Sequence, residues 1–229
     1  MATLLQMYTR VNAWSDTTDT VEATSHINDV YRDVVRETRA KVTKVTKTLT
    51  AGTASYTISG AFAITDLLSI SYVEYNQSGA TDGYPVVPTS FEEVLALRSA
   101  NATTGPVRLY ALRDLDTFEM FPAAQSSTDT LDIYYVSAPT ALAVTTDVPS
   151  VIPQEYHDVI TLGATARMYE YEDAGQAQVY MQKYMARLAD LKAFVNEKTG
   201  RIPRRTRVGY PTRRTQMPHD RSTYYSGDR

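Results

Sequence analysis

The chain has 229 residues, 43% of them hydrophobic and 21% charged, with a formal charge of −3 and no cysteine. That length fits one large domain or a core domain carrying an insertion, and the aromatic and β-branched content is unlike that of a disordered chain. The absence of cysteine excludes a disulfide framework, a thiolate zinc site, an iron–sulfur cluster and a cysteine nucleophile.

Met1 to Arg10 is too short an apolar run for a secretory signal, and Arg10 and Asp16 follow at once. No apolar stretch approaches the ~18 to 20 residues of a membrane span, so the expectation is a soluble, cytoplasmic protein with no membrane partner. Leu4, Leu5, Tyr8 and Val11 fall at helical spacing before Asn12. After a polar stretch, Ile27, Val30, Tyr31, Val34, Val35 and Thr38 follow the i, i+3, i+4, i+7 template, with Asp29, Arg32, Asp33, Arg36 and Glu37 opposite them. The second pattern predicts an amphipathic helix lying on something larger.

From about Lys41 to Pro139 the period changes to two. Leu68, Ile70 and Tyr72, then Val107 and Leu109, then Leu131, Ile133 and Tyr135 mark short strands punctuated by glycines and by turn clusters such as Arg113 to Asp116. An antiparallel meander is expected. Ser90-Phe91-Glu92-Glu93 interrupts it as a capping-box pattern before Val94, Leu95 and Leu97, predicting one short helix.

After Pro149 the helical period returns. Pro153 suits a first helical turn. Tyr156, Val159, Ile160, Leu162, Met168 and Tyr169, with Gly163, Ala164 and Ala166, predict a helix apolar on most sides and therefore central. Asp173-Ala174-Gly175 reads as a break. Beyond it, Ala177, Met181, Tyr184, Leu188, Leu191 and Val195 form a heptad seam of bundle length.

Thr199-Gly200 stops that helix. Residues 201–229 hold eight arginines, no lysine and two aspartates, a charge of +6. Of the 23 basic and 26 acidic residues in the chain, 15 and 24 therefore lie in residues 1–200, which carry −9. Pro203, Pro211 and Pro218 oppose helix, and Ile202, Val208 and Tyr210 are the few apolar anchors, so the segment is expected to be extended and mobile alone. A basic tail on an acidic body points to an anionic partner, either nucleic acid or an acidic protein surface such as another copy of the body. Arginine without lysine suits bidentate pairing and stacking on aromatic rings.

Catalytic patterns are missing. The chain has no phosphate-binding glycine loop, no dinucleotide fingerprint, no nucleophile elbow and no paired-histidine zinc motif. His26, His157 and His219 are far apart and lack companions at ligand spacing. His157, at the head of a buried helix, reads as a capping or packing residue more readily than as a general base. Asp114 with Asp116, and Glu170 with Glu172 and Asp173, are the nearest carboxylate groups, and both read as turn chemistry rather than a glycosidase-like pair. Seventeen tyrosines against five phenylalanines and one tryptophan lean toward protein interfaces, although β-rich segments also favour aromatic residues.

Phe118-Glu119-Met120-Phe121-Pro122 and Leu131-Asp132-Ile133-Tyr134-Tyr135, read as a strand pair, are followed by Pro139, Leu142, Asp147-Val148-Pro149, Ile152-Pro153 and Glu155-Tyr156-His157. Ala164, Ala166, Tyr169, Asp173, Ala177, Tyr184, Leu188 and Leu191 complete a tyrosine-bearing helix pair, and Ile27-Asn28-Asp29-Val30-Tyr31 opens the chain in keeping. This pattern, over most of residues 1–196, resembles the head-to-tail adaptor (connector) proteins of tailed bacteriophages. The resemblance implies a helix bundle with an inserted β-domain and a twelvefold homo-oligomeric ring beneath the portal protein. It also implies a tail, nozzle or tail-tube protein below, and C-terminal arms that reach the portal or a neighbouring subunit. No catalytic activity and no cofactor go with it.

The expected fold is thus α+β. Residues 1–40 and 151–198 form an α-helical bundle, 41–150 an inserted antiparallel β-domain with one short helix, and 199–229 an extended arginine-rich arm. The expected function is a virion neck protein, assembled in the host cytoplasm, whose acidic lumen passes genomic DNA without sequence-specific binding. Arg201, Ile202, Arg204, Arg205, Arg207, Val208, Tyr210, Arg213, Arg214 and Arg221 are the residues expected to bind the portal or a neighbour. The alternative is a nucleic-acid-binding protein that uses the same arm, and an enzyme with a carboxylate pair in the β-domain is the least supported reading.

Overall fold

The computed structural model describes residues 2–16, 18–79, 83–101, 103–170 and 172–200. Helix α1 (Leu4–Ser15) begins in a capping box: the Thr3 hydroxyl accepts the Gln6 amide at 3.3 Å, and the Gln6 side chain accepts the Thr3 amide at 3.2 Å. It runs past Asn12 because Val11 and Ser15 continue its buried face. Helix α2 (Thr20–Thr38) starts where Asp19 accepts the amides of Val21 and Glu22, and stops where Arg39 turns left-handed at φ 53°.

The chain then passes through β1 (Val42–Thr48), β2 (Ser55–Thr57), α3 (Ile58–Ala61), β3 (Leu67–Asn76), β4 (Tyr84–Pro85), β5 (Val87–Pro88), α4 (Phe91–Ala100), β6 (Thr104–Gly105), β7 (Leu109–Leu112), β8 (Thr117–Phe121), β9 (Ala123–Ala124) and β10 (Thr130–Ser137). These strands are not a meander. One sheet has the order β1-β10-β3-β4 and a second β2-β8-β7-β5, while β6 and β9 form a separate pair. The β5–β7 and β6–β9 pairings are parallel, and the rest are antiparallel. Strands β8 and β10, expected to pair with each other, belong to different sheets and meet only through side chains of a shared core. Period-two alternation identifies a strand but not its partner.

At α4 the Ser90 hydroxyl accepts the Glu93 amide at 3.2 Å, as the capping pattern predicts. The reciprocal half differs: the Glu93 carboxylate takes the Thr89 hydroxyl instead of reaching the Ser90 amide. Arg98, one turn from the end of α4, approaches the buried Glu119 of β8 at 2.7 Å and donates to the carbonyls of Ala54 and Met120, each at 2.8 Å. That guanidinium holds the helix onto the second sheet.

After β10 the chain crosses back, makes a 3-10 turn at Gln154–Tyr156 and forms α5 (His157–Met168) and α6 (Ala174–Lys198). Asp173 ends the break by accepting the amides of Gly175 and Gln176. Helix α5 starts four residues after Pro153, since the 3-10 turn takes the intervening positions.

Two apolar cores result. One joins α1, α2, α5 and α6 through residues such as Met7, Ile27, Val34, Ile160 and Leu191, and the other fills the space between the two larger sheets with Tyr75, Phe118, Met120, Leu131 and Ile133. Gly163 sits where α2, α5 and α6 converge. A Cβ there would lie 2.7 Å from Val30 Cγ1 and 3.0 Å from Tyr184 Cδ2. Val30 is β-branched and 2% exposed, so its side chain has little freedom to move aside. Gly163→Ala is therefore expected to destabilise the protein by about 1 kcal/mol net, overpacking exceeding the gain in helix propensity. In urea unfolding, Val30→Ala should cost less in the Gly163→Ala background than alone; strict additivity would show that this contact is not the cause.

Candidate functional site

The groups that might carry chemistry are engaged in structure. His157 is 4% exposed, and its Nε2 donates to the Ile152 carbonyl at 3.0 Å, fastening the 3-10 turn to the head of α5. His26 faces Glu22 on α2 at 3.7 Å, and His219 lies outside the described residues. Among the described residues, no three histidine, aspartate or glutamate side chains converge as a metal site would require.

The carboxylate clusters are turns. Asp114 accepts the Asp116 amide at 2.8 Å and the Thr117 hydroxyl at 2.9 Å, and these bonds hold its carboxyl below the usual range. Asp116 instead turns to α3, taking the Ser59 amide at 2.6 Å and its hydroxyl at 2.8 Å. The outcome is a stiff turn that presents Leu115, 97% exposed.

Several of the described tyrosines serve the interior. Tyr31, Tyr56, Tyr75, Tyr110, Tyr135 and Tyr184 are buried, and several of their hydroxyls pin loops. Tyr56 accepts the Thr50 amide at 2.7 Å, Tyr31 accepts the Val151 amide at 3.3 Å, and Tyr135 donates to Asp66 at 3.1 Å. Tyr75 donates to Asp129, which is 1% exposed and also accepts the amides of Ser78 and Ser126. Burial and that carboxylate push the Tyr75 hydroxyl far up. A ring in the core with its hydroxyl on a loop uses both ends of the side chain. Among the described tyrosines, Tyr72 and Tyr84 are exposed.

The apolar surface left uncovered is more informative. On α6 the lower seam residues Tyr184, Leu188, Leu191 and Val195 are buried, whereas Met181 is 39% exposed and Ala177 is only part-buried. The predicted seam thus packs from Tyr184 onward. Val179 and Met185, off the seam, are also exposed, and they are the kind of off-face apolar residue that marks such a surface in a sequence. Met181 and Met185 flank an open groove of about 490 Å³ between α2, α5 and α6, whose other walls include Val30, Asp33, Gly163 and Arg167.

The residues predicted to bind the portal or a neighbour, Arg201, Ile202, Arg204, Arg205, Arg207, Val208, Tyr210, Arg213, Arg214 and Arg221, lie outside the described residues. A family model described as SU10 adaptor protein matches residues 2–214. The chain belongs to the SU10 adaptor protein family. It is a phage adaptor with a structural, non-enzymatic role, a component of the virion that interacts with other phage head or tail proteins. The match includes the first six arginines of the C-terminal segment, Arg201 to Arg214, and stops before Arg221. No curated protein matches the adaptor chain. Among the described residues, no helix is long and apolar enough to cross a membrane.

The adaptor's outer sheet face carries one polar cluster with a pH consequence. Asp132 of β10 is 6% exposed and receives Lys44 at 2.8 Å, the Asn76 amide at 2.9 Å and the Thr46 hydroxyl, tying the central strand to both neighbours. Burial acts to raise its pKa, and the bonds from Lys44, Thr46 and Asn76 outweigh that, leaving the carboxyl below its ordinary range. A depressed carboxylate contributes stability that is complete above its unfolded pKa of about 4 and lost as pH falls through the folded value. The wild-type urea midpoint should therefore fall more between pH 6 and pH 3 than that of Asp132→Asn. Parallel profiles would exclude this cluster as a source of acid sensitivity.

Proposed function

We propose that this adaptor sits at the head–tail junction of a tailed phage, bound to the portal protein above and to the tail, nozzle or tail tube below. In this reading it assembles in the host cytoplasm as a homo-oligomeric ring, twelvefold by family resemblance, and genomic DNA passes through the lumen. Residues 1–40 and 151–198 act as one helix bundle with 41–150 inserted, and 199–229 act as an arm that grips the portal or an adjacent protomer.

The observation that carries the proposal is the family match over residues 2–214, which runs past the end of α6 into the arginine segment. The charge division supports it, since a body at −9 and a segment at +6 complement each other between copies. So do the apolar side chains at Leu115, Val179, Met181 and Met185, which suit contacts made on assembly. A negative lumen would also let a DNA backbone slide without sticking.

Deleting residues 201–229 should leave a folded body, by circular dichroism and thermal melt, that no longer joins portal-bearing heads. Normal attachment of the truncated protein would remove the arm from the mechanism. A second reading, DNA binding by the arm, rests on its eight arginines. It requires affinity falling with salt at a log–log slope of about −0.9 per phosphate neutralised. The adaptor reading expects only weak, non-specific binding in the same titration.

A further inference from the structure

Trp14, the only tryptophan of the chain, lies in the last turn of α1 and is 37% exposed. Its ring stacks on Tyr180 of α6, with centroids 5.9 Å apart and planes at 27°. Tyr180 in turn stacks on Tyr169, at the end of α5, at 5.7 Å and 18°. The Tyr169 hydroxyl donates to the Trp14 carbonyl, fixing the end of α1 to the end of α5. Rings from three helices form one aromatic face where α1 and α5 end and α6 begins.

Carboxylates border this face. Asp16 is the left-handed residue that ends α1, two positions after Trp14, and Glu172 and Asp173 lie in the turn after Tyr169. Burial, then the Tyr180 hydroxyl and the charges of Asp173, Asp16 and Glu172, raise the Tyr169 hydroxyl pKa. None of the three has an ion-pair partner among the described residues. The face already draws a cation of its own helix, with Lys183 Nζ 4.9 Å from the Tyr180 centroid.

An electron-rich face edged by unpaired carboxylates suits guanidinium, which stacks on the ring and pairs with carboxylate oxygens in one plane. The arginine source with matching charge is the chain's own segment after α6, where residues 201–214 carry six arginines and no acid or lysine. We propose that the Trp14–Tyr180–Tyr169 face receives the arginine segment, residues 201–229, of a second copy of this chain. The inference rests on the ring-and-arm reading above and names the surface on which an arm would dock between protomers.

A second copy is favoured by length. Tyr180 and Gly200 are separated by twenty residues, almost all of them helical, so the face and the start of the arm lie about 30 Å apart at 1.5 Å per residue. An arm returning to its own face would spend about nine extended residues in transit. Arg201, Arg204, Arg205 and Arg207 fall in that stretch, leaving only Arg213 and Arg214 of the first six to dock. A neighbour's arm can present the whole set.

Trp14 reports on this directly because no other indole contributes to the emission. In full-length protein, association followed by sedimentation should be accompanied by a shift or quench of Trp14 emission that grows with protein concentration. Changing Arg201, Arg204, Arg205, Arg207, Arg213 and Arg214 to lysine keeps the charge and leaves the body untouched, and should weaken association about fivefold or more. Tyr180→Ala should do the same. Because that variant removes a stacking partner of two rings, the lysine variant carries the test if Tyr180→Ala fails to fold.

Association without any Trp14 response, or one indifferent to the lysine changes, overturns the proposal. An emission change on deleting residues 201–229 that does not depend on concentration would assign the face to the chain's own arm, and likewise overturn it. If the arm is needed to join portal-bearing heads while Trp14 never responds, the docking site is wrong and the adaptor reading stands. If the truncated protein joins heads normally, the arm's role is wrong whatever Trp14 does.

Discussion

The pairing of β1 with β10 is the constraint on which the rest of the molecule depends. These strands carry the chain from the helices into the sheets and back, and they are paired from Val42–Val136 to Thr48–Thr130. About eighty residues are closed off between them, at an entropic cost on the order of 4 kcal/mol beyond a constant. Strand β10 has the side chains to offset that cost. Leu131, Ile133 and Tyr135 point into the sheet core, while Val136, after an irregularity in the register with β3, enters the helical core. A slip of one residue would send each set to the wrong side. Strand β1 contributes little burial of its own, since its residues alternate between exposed and half-buried, and its register is borrowed from β10. Lys44 and Lys47 on this edge strand discourage a further strand from adding there.

The return path to the helices is held by backbone groups as much as by side chains. The Asn28 side chain donates to the Leu142 carbonyl at 3.0 Å and accepts its amide at 2.7 Å, acting on α2 like a fragment of a neighbouring strand. Amides at the start of α1, which have no partner within a helix, find the carbonyls of Asp147 and Thr145 at 2.8 and 3.1 Å. The Asp147 carboxylate folds that loop by accepting the amides of Ala143 and Val144. The span from Leu142 to Ile152 is therefore part of the helical unit, although it contains no helix. Helix α5, buried along most of its length, can then sit against α1, α2 and α6, with Gly163 setting the closest approach.

How much of this was legible in the sequence follows from which interactions are local. Helix α2 could be read because its apolar period repeats within a single stretch of nineteen residues. The Asp114 and Asp173 turns were legible for the same reason. Strand partners were not: β10 is separated by most of the β-rich region from β1 and from β3, and nothing local distinguishes β8 from β10 as a neighbour. The capping box at Thr3 and Gln6 was present in the sequence but lay ahead of a weak helical pattern. Tyrosine is ambiguous because composition cannot separate a ring at an interface from a ring in the core whose hydroxyl serves a loop, and the described tyrosines include both buried and exposed rings. The aromatic face is the extreme case, with Trp14, Tyr169 and Tyr180 coming from three helices at no recognisable spacing.

The charge division acquires a physical basis once the body's own pairs are laid out. Arg167 serves Asp29 and Asp33, Arg187 serves Asp158 and Asp190, Arg98 and Arg113 serve Glu119, Lys192 serves Glu37, and Lys44 serves Asp132. Six of the fifteen basic residues among the first 200 thus hold helices and strands together. The acidic excess stays as carboxylates that fold turns and cap helices through backbone amides, as Asp147 and Asp173 do. A carboxylate held this way keeps acceptor capacity toward solvent or a partner, because an amide bond leaves the charge unneutralised. In the arm reading proposed above, the eight arginines of residues 201–229 would find their counterparts among carboxylates of this second kind. The body thus keeps its shape with one set of acids, while another set retains acceptor capacity.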